Sequence, residues 1–369
     1  MLLLFDIDGT LLLRAAGAHR DALHEAITEV WSVPDPAAVH VEAAGRTDLE
    51  IAREILLLSG VDRDVEARLD DFRAAAAEAY VRRCPADLSE RVAPGVPAVL
   101  DALAANGDLE GARLEKGIVR TTPGFADAYR AIAEGGWVGL AARPEHGGMG
   151  LPQVVLACVN EIFAGANLAL SLCPLLSQGQ IEALEHHAPP EVRAVFLPKL
   201  VAGTWTGTMN LTEPQAGSDV GAVRTRAEQA GDGTYRVTGQ KIFISWGDHD
   251  MAENVCHLVL ARLPDGGPGT RGLSLFLVPK FLPDAEGRPG AANDVRALSL
   301  EHKMGLHGSP TCVMEFADAT GWLVGEEHGG MAAMFTMMNN ARLGVGVEGL
   351  SQAEAALQAA RAYAGERRQ

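Results

Sequence analysis

MNLTEPQAGSDVGAVRTRAEQAGDGTYRVTGQKIFISWGDHD, from Met209 to Asp250, is the stretch around which the chain after residue 107 is organised. It opens as an alternating segment, Met209-Asn210-Leu211-Thr212, then breaks at Glu213-Pro214 into the small-residue loop Gln215-Ala216-Gly217-Ser218-Asp219. Backbone amides in such a loop can turn toward a bound anion. The chain returns through Thr234-Tyr235-Arg236-Val237-Thr238 and, after Gly239, is expected to form a second strand from Gln240 to Ser245. Strands placed this way offer amides and hydroxyls to the polar edge of a planar ligand and an aromatic ring to its flat face.

Working outward, LTEPQAGSD, GQKIFIS, GDHDMAEN, EHKMGLHGSPTCVMEF, GWLVGE and MFTMMNNARLGVGVEGL follow one another between Leu211 and Leu350. In order and spacing these strings resemble the acyl-CoA dehydrogenases, in their long subfamily, over roughly residues 108–369. The resemblance implies a multidomain α+β fold. Its expected parts are an amino-terminal helical domain over 108–203, a middle β-barrel over 204–325, and the first helices of a carboxy-terminal helical domain over 326–369. It also implies FAD as cofactor and the α,β-dehydrogenation of a CoA thioester, in which an α-proton is abstracted while the β-hydride leaves to flavin N5.

Carried over residue by residue, the resemblance puts Leu211 and Thr212 on the flavin edge and Ser218 at the pyrophosphate. Phe243 stands where the family usually has Trp, and Ser245 replaces the usual Thr near N5. Phe keeps the stacking surface without an indole donor, while Ser keeps the hydroxyl. Arg342 matches an active-site arginine near the substrate. Arg367 matches an arginine that reaches the FAD pyrophosphate of a neighbouring subunit, where a guanidinium fork suits a diphosphate. The family's glutamate base lies beyond the matched stretch in most members and immediately before the helix arginine in some; the latter position is Ala341 here. Glu348 and Glu354 are expected to be surface charges, so the catalytic base is missing and activity is expected to be impaired; the alternative readings are a non-catalytic flavin-binding fusion fragment and a phosphohydrolase-like fragment using Asp6 and Asp8 with Mg²⁺. Implied partners are an acyl-CoA thioester, an acceptor for the electrons of reduced flavin, and further copies of the chain in a dimer or tetramer.

The bulk properties agree. At 369 residues, 47% hydrophobic and 21% charged, the chain has the composition of a globular protein of two or three domains. A net charge of −17 argues against binding nucleic acid or an anionic membrane, which needs clustered Lys and Arg. Five scattered cysteines without a CxxC pair indicate neither a disulfide framework nor a zinc site, and fit a reducing cytoplasm.

Helices are expected over Pro123 to Glu134, Gln153 to Gly165, Leu170 to His187 and Glu191 to Val201, and again after Gly329. The segment from Val154 to Leu176 is apolar over a membrane-spanning length. Asn160, Glu161, Asn167 and Pro174 lie within it, so it reads as bundle helices with no membrane span. His186-His187 reads as a surface pair rather than a metal site, and the methionines after Met331 as core.

The first 107 residues differ. Leu2-Leu3-Leu4-Phe5 followed by Asp6-Ile7-Asp8-Gly9-Thr10 resembles the first motif of the haloacid dehalogenase superfamily, near its phosphoglycolate phosphatase-like members. That resemblance implies Asp6 as nucleophile, Asp8 as acid and base, and Mg²⁺ between them. Ala15 to about Arg83 resembles the helical cap, giving an incomplete α/β fragment that is mostly cap. The resemblance stops near Asn106-Gly107, before the elements that complete the metal site, so a fusion of two partial sequences without phosphatase activity is expected. Gly117 to Thr121 and Ser245 to Asp250 mimic the missing motifs but belong to strings of the larger resemblance.

Overall fold

The computed structural model describes residues 109–367 and, before them, 16–39, 41, 48–61, 65–69, 71–72, 75–76, 79 and 82. The chain divides into two compact units, residues 1–97 and 98–369. In the first unit, α1 (Ala16–Trp31) and α2 (Asp48–Leu58) bury Leu23, Ala26, Ile27 and Val30 with Ala52, Ile55 and Leu56. Each set repeats at three- and four-residue spacing, which places it on one helical face. Asp6 and Asp8 lie outside the described residues.

The second unit begins with a hairpin, β1 (Arg113–Glu115) and β2 (Ile118–Arg120). Helix α3 (Phe125–Glu134) buries Phe125, Ala128, Tyr129 and Ile132 along one stripe and stops at Gly135-Gly136, where Gly136 takes φ +74°. Helix α4 (Gln153–His187) contains the two expected helices, joined across a non-helical Asn167. Asn167 Oδ1 accepts from Leu170 N at 3.0 Å, so the break is capped as a helix start would be. Helix α5 (Pro190–Val201) follows. By length and apolar composition α4 could cross a membrane. It instead buries Ser177, Gln178 and Gln180, and Ser177 Oγ accepts from the backbone of Gly207 at 3.0 Å, as a core helix does.

Eight of the remaining strands are β3 (Trp205–Asn210), β4 (Arg226–Gln229), β5 (Tyr235–Ser245), β6 (Asn254–Arg262), β7 (Leu273–Pro279), β8 (Phe281–Pro283), β9 (Pro289–Ala292) and β10 (Val295–Leu300). The last is the long β11 (Thr311–Val324). Strand β11 pairs β5, β5 pairs β4, β4 meets β6 at Arg226 and Arg262, β6 pairs β7, and β7 returns to β11. The sheet therefore closes into the small barrel that the resemblance implied, with β10 and β3 as its outer strands. Its interior holds Val237, Ile244, Val259, Phe276, Val278, Met314 and Phe316.

One expectation is corrected. Gly239 does not separate two strands, because β5 runs unbroken from Tyr235 to Ser245 and Gly239 pairs with Phe316. Glycine stands there because a Cβ would run into Thr225; it permits a close approach rather than a turn.

Helix α6 (Gly330–Glu366) closes the unit. Met334, Met337, Ala341, Glu348 and Ser351 are buried along its inner face, so the methionines are core as expected. It packs on α4 in antiparallel sense. Asn340 Nδ2 donates to Glu182 at 2.6 Å, and Gln352 Nε2 donates to the Ala164 carbonyl at 2.6 Å.

Candidate functional site

The site lies where β3 gives way to the Glu213-Pro214 loop, against the last turn of β5. Opposite Cys312 and Met314 of β11 stand Ile244 and Lys241, so β5 carries an extra residue in a bulge. Inside it Phe243 adopts φ +59°, a left-handed conformation that is costly for a bulky side chain. The neighbouring Ile242 N–H leaves the β5–β11 ladder and donates to the Thr212 carbonyl at 2.9 Å. Phe243 is turned outward as a result and is 58% exposed, an unusual state for a ring on a barrel strand. Ser245, two residues on, is half-buried and pairs with Thr311.

The loop is stapled from beneath. Lys241 Nζ donates to Glu213 Oε1 at 2.8 Å and to the Leu211 carbonyl at 3.0 Å, and both side chains are buried. Glu213 also accepts from Arg224 N at 2.8 Å, from Thr225 N at 3.0 Å and from the Thr225 hydroxyl at 2.5 Å. Burial alone would push the Glu213 carboxyl up, but Lys241 and these donors outweigh it and hold the group ionised, well below the usual carboxylate range. Lys241 is pulled down by burial and held up in part by Glu213.

A buried polar row supports the same loop. Thr206, Thr208 and Asn210 alternate along β3 and are fully buried. The Met251 amide donates to His249 Nδ1 at 3.2 Å, so His249 Nε2 carries the proton toward the Thr206 hydroxyl, 2.8 Å away. Asn210 Nδ2 donates to Thr208 Oγ1 at 2.7 Å, which lies 2.9 Å from His257 Nδ1. Burial, with Lys280 nearby, pushes both imidazoles down to about 3. Neither this row nor the Glu213–Lys241 pair follows from sequence alone. The one available signal was the polar alternation Thr206, Thr208, Asn210 leading into Thr212.

The expected site residues fall into two groups. Thr212 meets the Phe243 bulge through Ile242. Gly217 lies beside Thr212, while Gly217 and Ser218 stand exposed above the loop. Arg342 is on α6 and Arg367 follows its last residue as the C-cap, both exposed; Arg342 Nη1 donates to Asn339 at 2.8 Å and its guanidinium lies over Phe335. Among the described residues, neither arginine hydrogen-bonds the β5 strand end. Glu354 is exposed as expected, but Glu348 is not. It is buried, Oε1 has no partner among the described residues, and burial pushes its carboxyl up to about 7. The surface assignment of Glu348 failed because α6 turns that position toward α4.

The two strings that mimic phosphatase motifs meet each other. Thr121 donates through its N–H, at 3.1 Å, and its hydroxyl, at 2.7 Å, to Asp250 Oδ1, and Arg120 pairs with Oδ2 at 3.2 Å. They latch the β1–β2 hairpin to the segment after β5. At the other end of β5, a cleft of about 650 Å³ is lined by His186, His187, Glu191, Tyr235 and Glu326. His187 Nε2 lies 2.7 Å from the Thr336 hydroxyl. No group of three His, Cys, Asp or Glu suited to a metal occurs among the described residues.

Two family models match, the N-terminal domain of acyl-CoA dehydrogenase over residues 113–204 and its middle domain over 208–319. The chain belongs to the acyl-CoA dehydrogenase family. It is 49% identical over 302 residues to 3-methylmercaptopropionyl-CoA dehydrogenase of Ruegeria pomeroyi, a match covering 82% of this chain and 49% of that protein. It is 42% identical over 233 residues to butyryl-CoA dehydrogenase of Syntrophomonas wolfei, covering 60% and 38% respectively. Among solved structures, a glutaryl-coenzyme A dehydrogenase complexed with glutaryl-CoA is 26% identical at TM-score 0.60, covering 75% of this chain and 66% of that one. The chain spans about half or less of the length of these two curated relatives. The family's middle-domain match contains the whole Glu213–Lys241 staple and the Phe243 bulge.

Proposed function

We propose that this chain has an FAD-dependent acyl-CoA dehydrogenase-type function, the α,β-dehydrogenation of a CoA thioester. The observation that carries this reading is the left-handed, outward-turned Phe243, in a bulge whose Ile242 N–H is bonded to the Thr212 carbonyl. The residues fit the group. Phe243 would lie against the isoalloxazine face, and the exposed Gly217-Ser218 backbone and hydroxyl would take the pyrophosphate. The carbonyls of Leu211 and Thr212 are already engaged by Lys241 and Ile242, so the flavin edge would be met by backbone N–H groups here and by the Thr212 hydroxyl. Ser245 would stand toward N5. FAD, when bound, supplies the hydride acceptor.

In this reading Arg342 orients the thioester, and Arg367 reaches the pyrophosphate of a neighbouring copy in a homo-oligomer. The residue before Arg342 is Ala341, which takes no proton, so we infer weak proton abstraction by this face of α6. Reduced flavin would pass its electrons to a separate acceptor. The proposed domains are 108–203, 204–325 and 326–369. The buried free thiols Cys173, Cys256 and Cys312 agree with a cytoplasmic setting. For residues 1–107, which resemble an incomplete haloacid dehalogenase-like fragment, we infer no phosphatase activity and no Mg²⁺ site at Asp6 and Asp8. Mg²⁺-dependent turnover of a phosphomonoester, lost in Asp6→Asn, refutes that.

The principal test is reconstitution with FAD followed by calorimetry and visible absorbance. Stoichiometric binding is expected, weakened about tenfold in Thr212→Ala and in Phe243→Ala. Wild-type affinity in both variants, or no FAD uptake by the wild type, would exclude this site.

A further inference from the structure

Trp246, which follows Ser245 directly, is fully buried and adopts φ +53°. A left-handed tryptophan is costly and persists only where its surroundings over-determine it. Contacts from several directions do so here. Its backbone N–H donates to the Pro310 carbonyl at 2.7 Å, while its ring stacks on Phe125 of α3 at 6.4 Å between centroids and meets His249 edge-on at 5.6 Å. The indole Nε1 donates to the Ala169 carbonyl of α4 at 3.2 Å. Ala169 lies just beyond the break at Asn167, where α4 passes from a half-exposed stretch into one buried almost throughout as far as Ile181. The strand end is therefore moored to the buried half of the helix. Phe243 and Trp246 form a pair of left-handed aromatics, one turned out to solvent and one sealed inside, with Ser245 between them. The way Ser245 and Phe243 point is set from within, by the position of the indole.

We propose that Trp246 is a positioning residue, whose indole N–H bond to Ala169 holds Ser245, and with it the Phe243 platform, in the orientation that receives the flavin ring. This rests on the flavin reading above. Packing alone does not need the nitrogen, since the contacts with Phe125 and His249 are those of any large aromatic ring. A buried N–H does need its acceptor, and the bond is directional. It fixes the rotation of the indole, and so the path of the backbone at Ser245, where ring contacts alone would let both slide. Trp246 is sealed beneath the strand end and acts through Ser245.

The test compares the wild type with Trp246→Phe, Trp246→Met and Ser245→Ala, following FAD affinity by calorimetry and the visible absorption band of the bound flavin. Trp246→Phe keeps a ring and removes the donor. It is expected to shift the band in the same sense as Ser245→Ala and to weaken FAD about fivefold. The double variant Trp246→Phe with Ser245→Ala should bind no more weakly than the weaker single one, because both act on the same contact. Phe125→Leu, which disturbs the packing of the same ring and spares the N–H, should lower the melting temperature and leave the flavin band unmoved. Melting curves without ligand show which variants fold, and two Trp246 variants are made so that one misfolded protein does not decide the outcome. An unshifted band with wild-type affinity in a folded Trp246 variant, or losses that add in the double variant, overturn the positioning role while leaving flavin binding intact. Unfolding of both Trp246 variants assigns the residue to the fold and overturns the role as well. Failure of the wild type to take up FAD overturns the functional reading and this inference together.

Discussion

Lys241 and Glu213 form a buried ion pair, Nζ to Oε1 2.8 Å, that bolts the loop after β3 to the strand carrying Phe243 and Ser245. Both groups lose solvent, but Glu213 recovers five hydrogen bonds when those from Thr225, Arg224 and Gln215 are included with that from Lys241. The pair fixes the geometry of Leu211 and Thr212 more than it adds net stability, since buried pairs of this kind roughly break even against apolar isosteres.

Removing one partner strands the other. Lys241→Met or Glu213→Leu should each cost about 3–5 kcal/mol in urea unfolding, while the double variant should lose clearly less than the sum. Additive losses, or single losses below about 1 kcal/mol, contradict a coupled staple.

The strained bulge makes a separable claim. Phe243→Asn, a residue that tolerates the left-handed region, should raise the stability of the ligand-free chain by up to about 1 kcal/mol and weaken FAD binding. A variant that is both less stable and equally good at holding FAD would show that the strain has nothing to do with the ligand.

His249 and His257 set the acid limit of the barrel. Both are held neutral in the fold with pKa values lowered to about 3, while the unfolded chain protonates near 6.5. The unfolded state binds more protons below that value, so stability is present above pH 6.5 and lost as pH falls toward 3. The loss should reach roughly 2 kcal/mol per histidine at pH 5. Unfolding free energies at pH 7 and pH 5 check it; His257→Asn should remove about half of the difference.

Gly207 tests the packing of α4 on β3. A Cβ there would run into the Gln180 amide, so Gly207→Ala should cost about 1–3 kcal/mol by chemical denaturation. A neutral substitution would mean that α4 can shift away from the barrel.

Much of this is legible in the sequence. The ordered strings from Leu211 to Leu350 carried the family, the helix at Phe125 was written in its apolar spacing, and the strand that ends at Ser245 in its β-branched and aromatic residues. These are local signals, because a helical stripe or a strand face repeats along the chain itself. Three features depended on the tertiary structure. The continuity of β5 through Gly239 depends on Thr225 pressing against it, and the left-handed turn of Phe243 on a register shift against β11, 70 residues away in sequence. The burial of Glu348, an acidic residue that the sequence places on a helix surface, depends on which side of α6 meets α4. Sequence spacing determines which residues share a face; only the packing of distant elements decides which face loses its water.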